Sequence, residues 1–486
     1  MNRKTLSPAR AALAGAAAAL LALAATTAAP RAAQAQAAPS TNAAAAAPAA
    51  IQIPFEHYRL ANGLNVLLSV DHATPRVAVD VMYHVGSKNE QVGRTGFAHL
   101  FEHVMFTGSE HVPYGLQDRL TEGVGGENNA STANDVTNYY DVVPSNYLED
   151  ALWIESDKMG WLLDALDTAK YNAQRDIVKN ERRQRVDNQP YGRVGEIMSA
   201  AIYPKGHPYS WPVIGSMADL SAASIEDVKN FFRLYYAPNN ATLTIVGDID
   251  TAQARAWVAK YFGPVERGRP IVRPNAPPVK LAAEKRLVYE DRVQVPRLYM
   301  AWPTVGAKHP DQYALDVLAS ILAGPRTARL TKTLVYDQQL AANIYAYQDS
   351  NEDVGEFDIV VTPRPGHSLT ELETVTDSVL ERMRREGPTA DELTRAKAGL
   401  ELDFVRGLES NLGKAYQLAQ GQVFDNDPAH YAVDYRREQA VTAADVTRVA
   451  NAYLTGGRVV LSVVPLGQKA EASHPEKSVV VTAEAK

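Results

Sequence analysis

The sequence predicts an α+β protein with two homologous domains, each an antiparallel-rich sheet packed with helices. With 486 residues, the chain is longer than one ordinary hydrophobic core supports. Runs with the twofold periodicity of strands alternate with runs that have the 3.6-residue periodicity of helices. Both halves also end alike, with a helix and then an apolar strand, at 224–246 and again at 440–464. Two copies of one unit explain this better than two unrelated domains.

The first 37 residues have the features of a secretory signal peptide. Basic residues at the start precede an apolar run over 11–29, and small residues within 33–37 offer cleavage sites. An uncleaved anchor is the alternative, but the run is dominated by alanine and no second span follows. Residues 38–50 are rich in Ala and Pro, which predicts a flexible lead-in. We therefore expect a periplasmic or secreted protein with no membrane span in the mature chain.

The composition excludes several classes of site. There are no cysteines, so a disulfide, a thiolate metal site or a cysteine nucleophile is not available. The net charge is −7 and no basic block is present, which argues against a nucleic-acid partner. Any transition metal must therefore be held by His, Asp and Glu.

The first domain is predicted over residues 51–264. An Asn-Gly pair at 62–63 between two apolar runs indicates a hairpin, and residues 76–85 alternate as a strand does. Segments with apolar residues three and four positions apart are predicted to be helices. The predicted strands are 58–61, 64–68, 76–85, 130–135, 137–143 and 241–246, and the helices are 97–105, 146–165, 170–188, 224–235 and 251–262.

A Pro-rich segment, 265–284, is the best linker in the chain, and the second domain is predicted over 285–470. Residues 471–486 are expected to form a polar tail. The predicted strands of the second domain are 299–302, 356–362 and 459–464, and its helices are 311–323, 368–385, 389–406 and 440–453.

One motif in the first domain carries chemistry, namely His99-Leu100-Phe101-Glu102-His103. Residues four apart lie on one helix face, so both imidazoles can point at one position with Glu102 beside them. Two neutral histidines with an adjacent carboxylate are typical of a zinc site with a general base. The order H-x-x-E-H is the inverse of the H-E-x-x-H metalloprotease motif. The alternative is a helix that carries these three residues by chance.

A catalytic zinc site usually has three protein ligands and one open position. A carboxylate on the charged helical segment 170–188 is the best source of the third ligand, and we favour Glu181. The competing candidates are Asp176, Glu155 and Glu196.

The motif, the segment Ile177 to Glu181 and the run NNAST at 128–132 together resemble the M16 (pitrilysin/insulysin-like) metallopeptidases. The similarity is to the small bacterial members related to the mitochondrial processing peptidase. It implies a LuxS/MPP-like metallohydrolase fold and a zinc endopeptidase with one Zn²⁺ per chain. By this resemblance His99, His103 and Glu181 are zinc ligands and Glu102 is the catalytic base.

The resemblance also implies roles for residues around the metal. The family tends to have an acidic residue seven positions before the ligand Glu, where this chain has Gln174; an amide can hydrogen-bond but adds no charge. In the family, a strand at this place pairs with the extended peptide substrate. The substrate-binding residues are then Asn129, Ala130, Ser131 and Thr132. Without the family context, a simple turn or edge strand explains them equally well.

The second half lacks a pair that self-sufficient relatives have, an Arg and, seven residues later, a Tyr that stabilise the oxyanion. The matching positions here are Val335 and Ala342, and using Tyr336 or Tyr345 instead would need a register shift. The family builds its chamber from four such units, and this chain supplies two. We therefore expect a zinc-bearing subunit whose M16-like partner carries the Arg/Tyr pair. The alternatives are a homodimer with other oxyanion donors, a non-catalytic scaffold, and a maturation factor for a peptide-derived cofactor.

Overall fold

The computed structural model describes residues 51–482, so the expected signal peptide and lead-in lie outside the described part. From Gln52 onward the chain forms one compact unit that contains two six-stranded sheets. Among the described residues, no helix is both long and apolar enough to cross a bilayer.

The first sheet has the strand order β1-β2-β6-β3-β5-β4 and is antiparallel except for the β2/β6 pair. Its strands are β1 (Glu56–Arg59), β2 (Asn65–Val70), β3 (Arg76–Tyr83), β4 (Glu127–Thr132), β5 (Thr137–Pro144) and β6 (Ala241–Gly247). The helices of this half are α1 (Phe97–Val104), α2 (Leu116–Leu120), α3 (Leu148–Ala165), α4 (Thr168–Arg182), α5 (Val194–Ile202), α6 (Met217–Ala222), α7 (Ile225–Tyr235) and α8 (Thr251–Phe262).

The second sheet has the order β12-β7-β11-β8-β10-β9. Its strands are β7 (Lys285–Asp291), β8 (Arg297–Val305), β9 (Ala341–Ser350), β10 (Val354–Pro363), β11 (Val459–Pro465) and β12 (Val479–Val481). The helices are α9 (Asp311–Leu322), α10 (Leu369–Glu386), α11 (Ala390–Gly407), α12 (Asn411–Gln420), α13 (His430–Ala440) and α14 (Ala443–Tyr453). Five strands thus repeat the order of the first sheet, and the predicted α+β fold with two repeated units is confirmed.

Each half places one helix on the sheet of the other. Helix α12 packs on β3 and β6, where Ala419 meets Met82 and Val136. Helix α5 packs on β11, where Met198 and Ile202 join the second sheet's core. The opposite face of each sheet is covered by helices of its own half. Neither α5 nor α12 was predicted, because their partners are far away in sequence.

Several stretches differ from the sequence-based expectation. Strands β7 and β9 were not predicted, and the strand expected over 130–135 is found at Glu127–Thr132. The helix expected over 170–188 ends at Arg182 and continues as a π-helical turn, Arg183–Asp187. The expected polar tail contains a strand, because Val479–Val481 pairs in parallel with β7 and extends the edge of the second sheet. A three-residue strand is too short to produce a periodic signal. Residues 263–284, between α8 and β7, contain no helix or strand.

Candidate metal and peptide site

Packing sets the rotation of α1. Its apolar residues are buried, and the ring of Phe101 lies against those of Phe231, Phe232 and Tyr236, with ring centroids 5.1–6.3 Å away. The N-cap of the helix is Gly96, whose φ of 90° and close approach to Gly215 leave no room for a side chain. This packing directs His99 and His103 toward α4, the helix that carries Glu181.

A buried carboxylate caps the start of α1. Glu90 accepts the backbone N–H of Gly96 on Oε2 and that of Ala98 on Oε1, each at 2.9 Å. Burial raises the pKa of Glu90 to about 8, against the lowering effect of these N–H groups. No local spacing pattern in the sequence marks this residue, because Glu90 lies seven residues before the first residue of the helix.

Helix α4 brings Glu181 to the two histidines. Glu181 Oε2 lies 3.0 Å from His103 Nε2 and 3.7 Å from His99 Nε2. The potential ligand atoms of the three residues all lie within 4.8 Å of one another, and no other such group of three occurs among residues 51–482. The structure therefore brings together the three residues predicted as ligands.

The chemistry of these donors fits zinc. Two imidazoles and one carboxylate are a donor set found in catalytic zinc sites. Burial, with a smaller contribution from His103, lowers the pKa of His99 to about 4, which keeps the ring neutral as metal binding requires. Burial acts to raise the pKa of Glu181, but His103, His99 and Arg185 together hold it below the usual range, so the carboxylate stays ionised.

Glu102 lies on α1 next to these donors. Glu102 is partly buried, and burial raises the pKa of its carboxyl group, while Thr132 and His103 oppose the rise. A raised pKa makes a carboxylate a stronger proton acceptor than an ordinary glutamate. Glu102 therefore has the properties of a general base.

Strand β4 forms the free edge of the first sheet, next to α1. Asn129 is exposed, and its Oδ1 accepts the N–H of Ala130 at 2.9 Å. The hydroxyl of Ser131 hydrogen-bonds Asn138 on β5, while Thr132 contributes to the electrostatics of Glu102. The predicted substrate strand thus ends beside the predicted base, and no strand within residues 51–482 pairs with its outer edge.

The competing third ligands lie elsewhere. Glu155 is buried and pairs with Lys158 at 2.6 Å, and Glu196 pairs with Arg182. Asp176 is exposed on α4. Gln174 lies on α4 two turns before Glu181 and is partly buried.

Comparison with known proteins identifies the family. Residues 65–213 match the model described as Insulinase (Peptidase family M16), and residues 222–400 match the model described as Peptidase M16 inactive domain. The chain is 31% identical over 405 residues to the zinc protease PqqE of Helicobacter pylori, covering 82% of this chain and 90% of that protein. This chain belongs to peptidase family M16. The resemblance drawn from the motif is therefore confirmed.

Further M16 similarities cover most of the chain. A probable mitochondrial-processing peptidase subunit beta of Schizosaccharomyces pombe is 24% identical, over 83% of this chain and 90% of that one. The crystal structure of a protease from Helicobacter pylori superposes with a TM-score of 0.79 at 28% identity, covering 85% of this chain and all of that one. The cluster of His99, His103 and Glu181 lies within the first M16 match, and the inactive-domain match covers much of the second half.

The second M16 unit has no polar group at the two expected positions. Val335 lies in the π-helical segment Thr331–Asp337, and Ala342 is the second residue of β9. The guanidinium of Arg364 lies nearby but donates to the backbone carbonyls of Val335 and Ala341, at 3.3 and 3.2 Å. Tyr345 is exposed on β9.

One charged neighbour of the cluster formed by His99, His103 and Glu181 was not predicted from the sequence. Arg185 forms an ion pair with Oε1 of Glu181 from one turn further along the chain. The spacing of four residues between an acid and a base was the available signal. This spacing does not distinguish Arg185 from its neighbours, because basic residues are frequent in this segment.

Proposed function

We propose that this chain is the zinc-bearing subunit of an endopeptidase that hydrolyses short or unfolded peptides in a chamber formed with a partner subunit. The observation that carries the proposal is the cluster of His99, His103 and Glu181 beside the partly buried Glu102. The name of the PqqE relative as a zinc protease supports the same activity.

The residues divide the chemistry between them. His99, His103 and Glu181 would hold the zinc ion, which when bound would lower the pKa of a water molecule and polarise a carbonyl group. Glu102 accepts the proton of the attacking water and returns it to the leaving amine. Its raised pKa makes it a stronger proton acceptor than an ordinary glutamate.

Strand β4 binds the peptide by strand addition. Its outer edge is free to pair with an extended main chain, which reads backbone more than sequence. The amide of Asn129, held on the N–H of Ala130, is exposed and available to the substrate main chain. Since Thr132 ends the strand beside Glu102, a peptide paired with β4 passes the base.

The test uses the isosteric variant Glu102→Gln in the purified, zinc-loaded chain, assayed with an added M16 homologue that carries the Arg/Tyr pair. We expect turnover of a fluorogenic peptide to fall by roughly 10²–10⁴-fold while one zinc per chain is retained. The control Glu110→Gln changes an exposed carboxylate and should match the wild type. His99→Ala should lose both zinc and turnover. Wild-type turnover by Glu102→Gln would refute the assignment.

The partner subunit is part of the proposal. Val335 and Ala342 cannot stabilise an oxyanion, and one relative is named as a beta subunit, which implies other subunits in that protein. We expect little cleavage by the single chain and strong cleavage after addition of an M16 homologue that carries the Arg/Tyr pair. Full activity of the monomeric chain would refute a partner, whereas an active homodimer would replace it by a second copy.

The match of residues 222–400 to an inactive-domain model favours one second candidate, a non-catalytic scaffold. A scaffold would bind no stoichiometric zinc and would cleave nothing with any partner, so the same assays distinguish the two. The signal-like first 37 residues support a periplasmic or secreted location, which cell fractionation of the native host tests.

A further inference from the structure

The two carboxylate oxygens of Glu181 have different neighbours. Oε2 faces the imidazoles, 3.0 Å from His103 Nε2 and 3.7 Å from His99 Nε2. Oε1 forms the ion pair with Arg185. The side chain of Glu181 is 13% exposed and that of Arg185 is 57% exposed, so the guanidinium reaches the ligand from the solvent side.

We propose that Arg185 is a positioning residue of the metal site, whose guanidinium holds Oε1 of Glu181 so that Oε2 alone is presented to the metal. The inference rests on the proposed zinc site and adds a residue to it. A glutamate needs such support because its terminal torsion has no sharp minimum, so an unsupported carboxylate samples many orientations. Outer partners of this kind commonly orient metal-binding carboxylates.

The other acidic side chains near Arg185 are paired with other arginines, so Arg185 pairs with Glu181. Arg182 pairs with Glu196, and Arg193 pairs with Asp187 at 2.7 Å. These acids near the π-helical turn are thus already matched by other arginines. The turn begins directly after Arg182, and such turns often occur at functional sites.

The experiment measures zinc affinity of the full chain by competition with a chromogenic chelator. We expect Arg185→Gln to weaken zinc binding by roughly 10–100-fold, the usual effect of removing an outer partner. The matched control is Arg183→Gln, which removes the same charge from an exposed neighbour whose side chain hydrogen-bonds Asn180. It should stay within about threefold of the wild type, by the weakness of exposed charge contacts.

A conservative variant and a kinetic readout separate positioning from a structural role. Arg185→Lys keeps the charge but not the planar fork, so its zinc Kd should fall between those of Arg185→Gln and the wild type. At saturating zinc and with the M16 homologue that carries the Arg/Tyr pair added, Arg185→Gln should lower kcat and leave KM within about twofold, because the peptide binds at β4 rather than at Arg185. Melting curves check that every variant is folded.

The outcomes distinguish this inference from the proposed function. A wild-type chain that binds no zinc would overturn both. A wild-type chain that binds zinc, with Arg185→Gln equal to Arg183→Gln in zinc Kd, would overturn the role of Arg185 alone. Weaker zinc binding by Arg185→Gln with partial rescue by Arg185→Lys would support it.

Discussion

A buried carboxyl group in the first sheet makes the stability of this protein depend on pH. Asp80 lies on β3, in the middle of the first sheet, and is 0% exposed. Its Oδ1 accepts a 3.3 Å hydrogen bond from Asn138 Nδ2, and its Oδ2 is buried with no hydrogen-bond partner. Burial raises the pKa of Asp80 to about 7, with Asn138 opposing and Glu155 adding to the rise.

The sign and size follow from linkage. The folded protein holds the Asp80 proton more tightly than the unfolded chain, so stability falls as the pH rises from the unfolded pKa of 3.8 to the folded pKa of about 7. At about 1.4 kcal/mol for each tenfold change in proton affinity, the full loss is about 4 kcal/mol. About 2–3 kcal/mol of it falls between pH 5 and pH 8 by the same relation.

The perturbation is Asp80→Asn, which has the same shape and no titration. Urea unfolding followed by tryptophan fluorescence at pH 5 and pH 8 gives the free energy of unfolding. We expect the variant to gain about 2–3 kcal/mol on the wild type between these two pH values. Asp176→Asn, at an exposed site, is the control and should follow the wild type. Parallel curves for Asp80→Asn and wild type, within about 0.5 kcal/mol, would refute the reasoning.

Three further predictions concern the frame of the site. Glu90→Ala leaves two buried N–H groups at the start of α1 unpaired and should lower the free energy of unfolding by roughly 2–5 kcal/mol, measured in urea. Lys88→Met removes the cation that pairs with the carboxylates of Asp135 and Glu352, which link loops of the two sheets, and should lower the free energy of unfolding by roughly 3–5 kcal/mol. The double variant Lys88→Met with Glu352→Gln should recover part of this loss. Asn129→Ala should raise the peptide KM by roughly 3–10-fold with kcat within twofold, since one main-chain contact contributes about 1 kcal/mol; an unchanged KM would remove Asn129 from the binding site.

Local pattern was sufficient wherever a single element carries its own signal. The i, i+4 spacing of His99 and His103 requires only a helix, and the apolar residues between them predict which face is buried. Helix α8 and strand β11 are found within a residue of their predicted bounds for the same reason. The repeat of helix and strand at the ends of both halves predicted the two matching sheets.

Partners distant in sequence were decided by the tertiary structure alone. Periodicity could not choose between Glu181, Asp176 and Glu155, because the choice depends on how α4 packs against α1. Helices α5 and α12 escaped prediction because each covers the sheet of the other half.

The sequence by itself therefore determined the fold class, the family and the two histidines with their glutamate, since these depend on spacing along one chain segment. Only the tertiary structure decided which oxygen of Glu181 faces the histidines, which arginine holds the other, and that Glu90 caps the motif helix. Hydrogen bonds and ion pairs act over about 3 Å in space, and the folded chain brings into that range residues that are remote along the sequence.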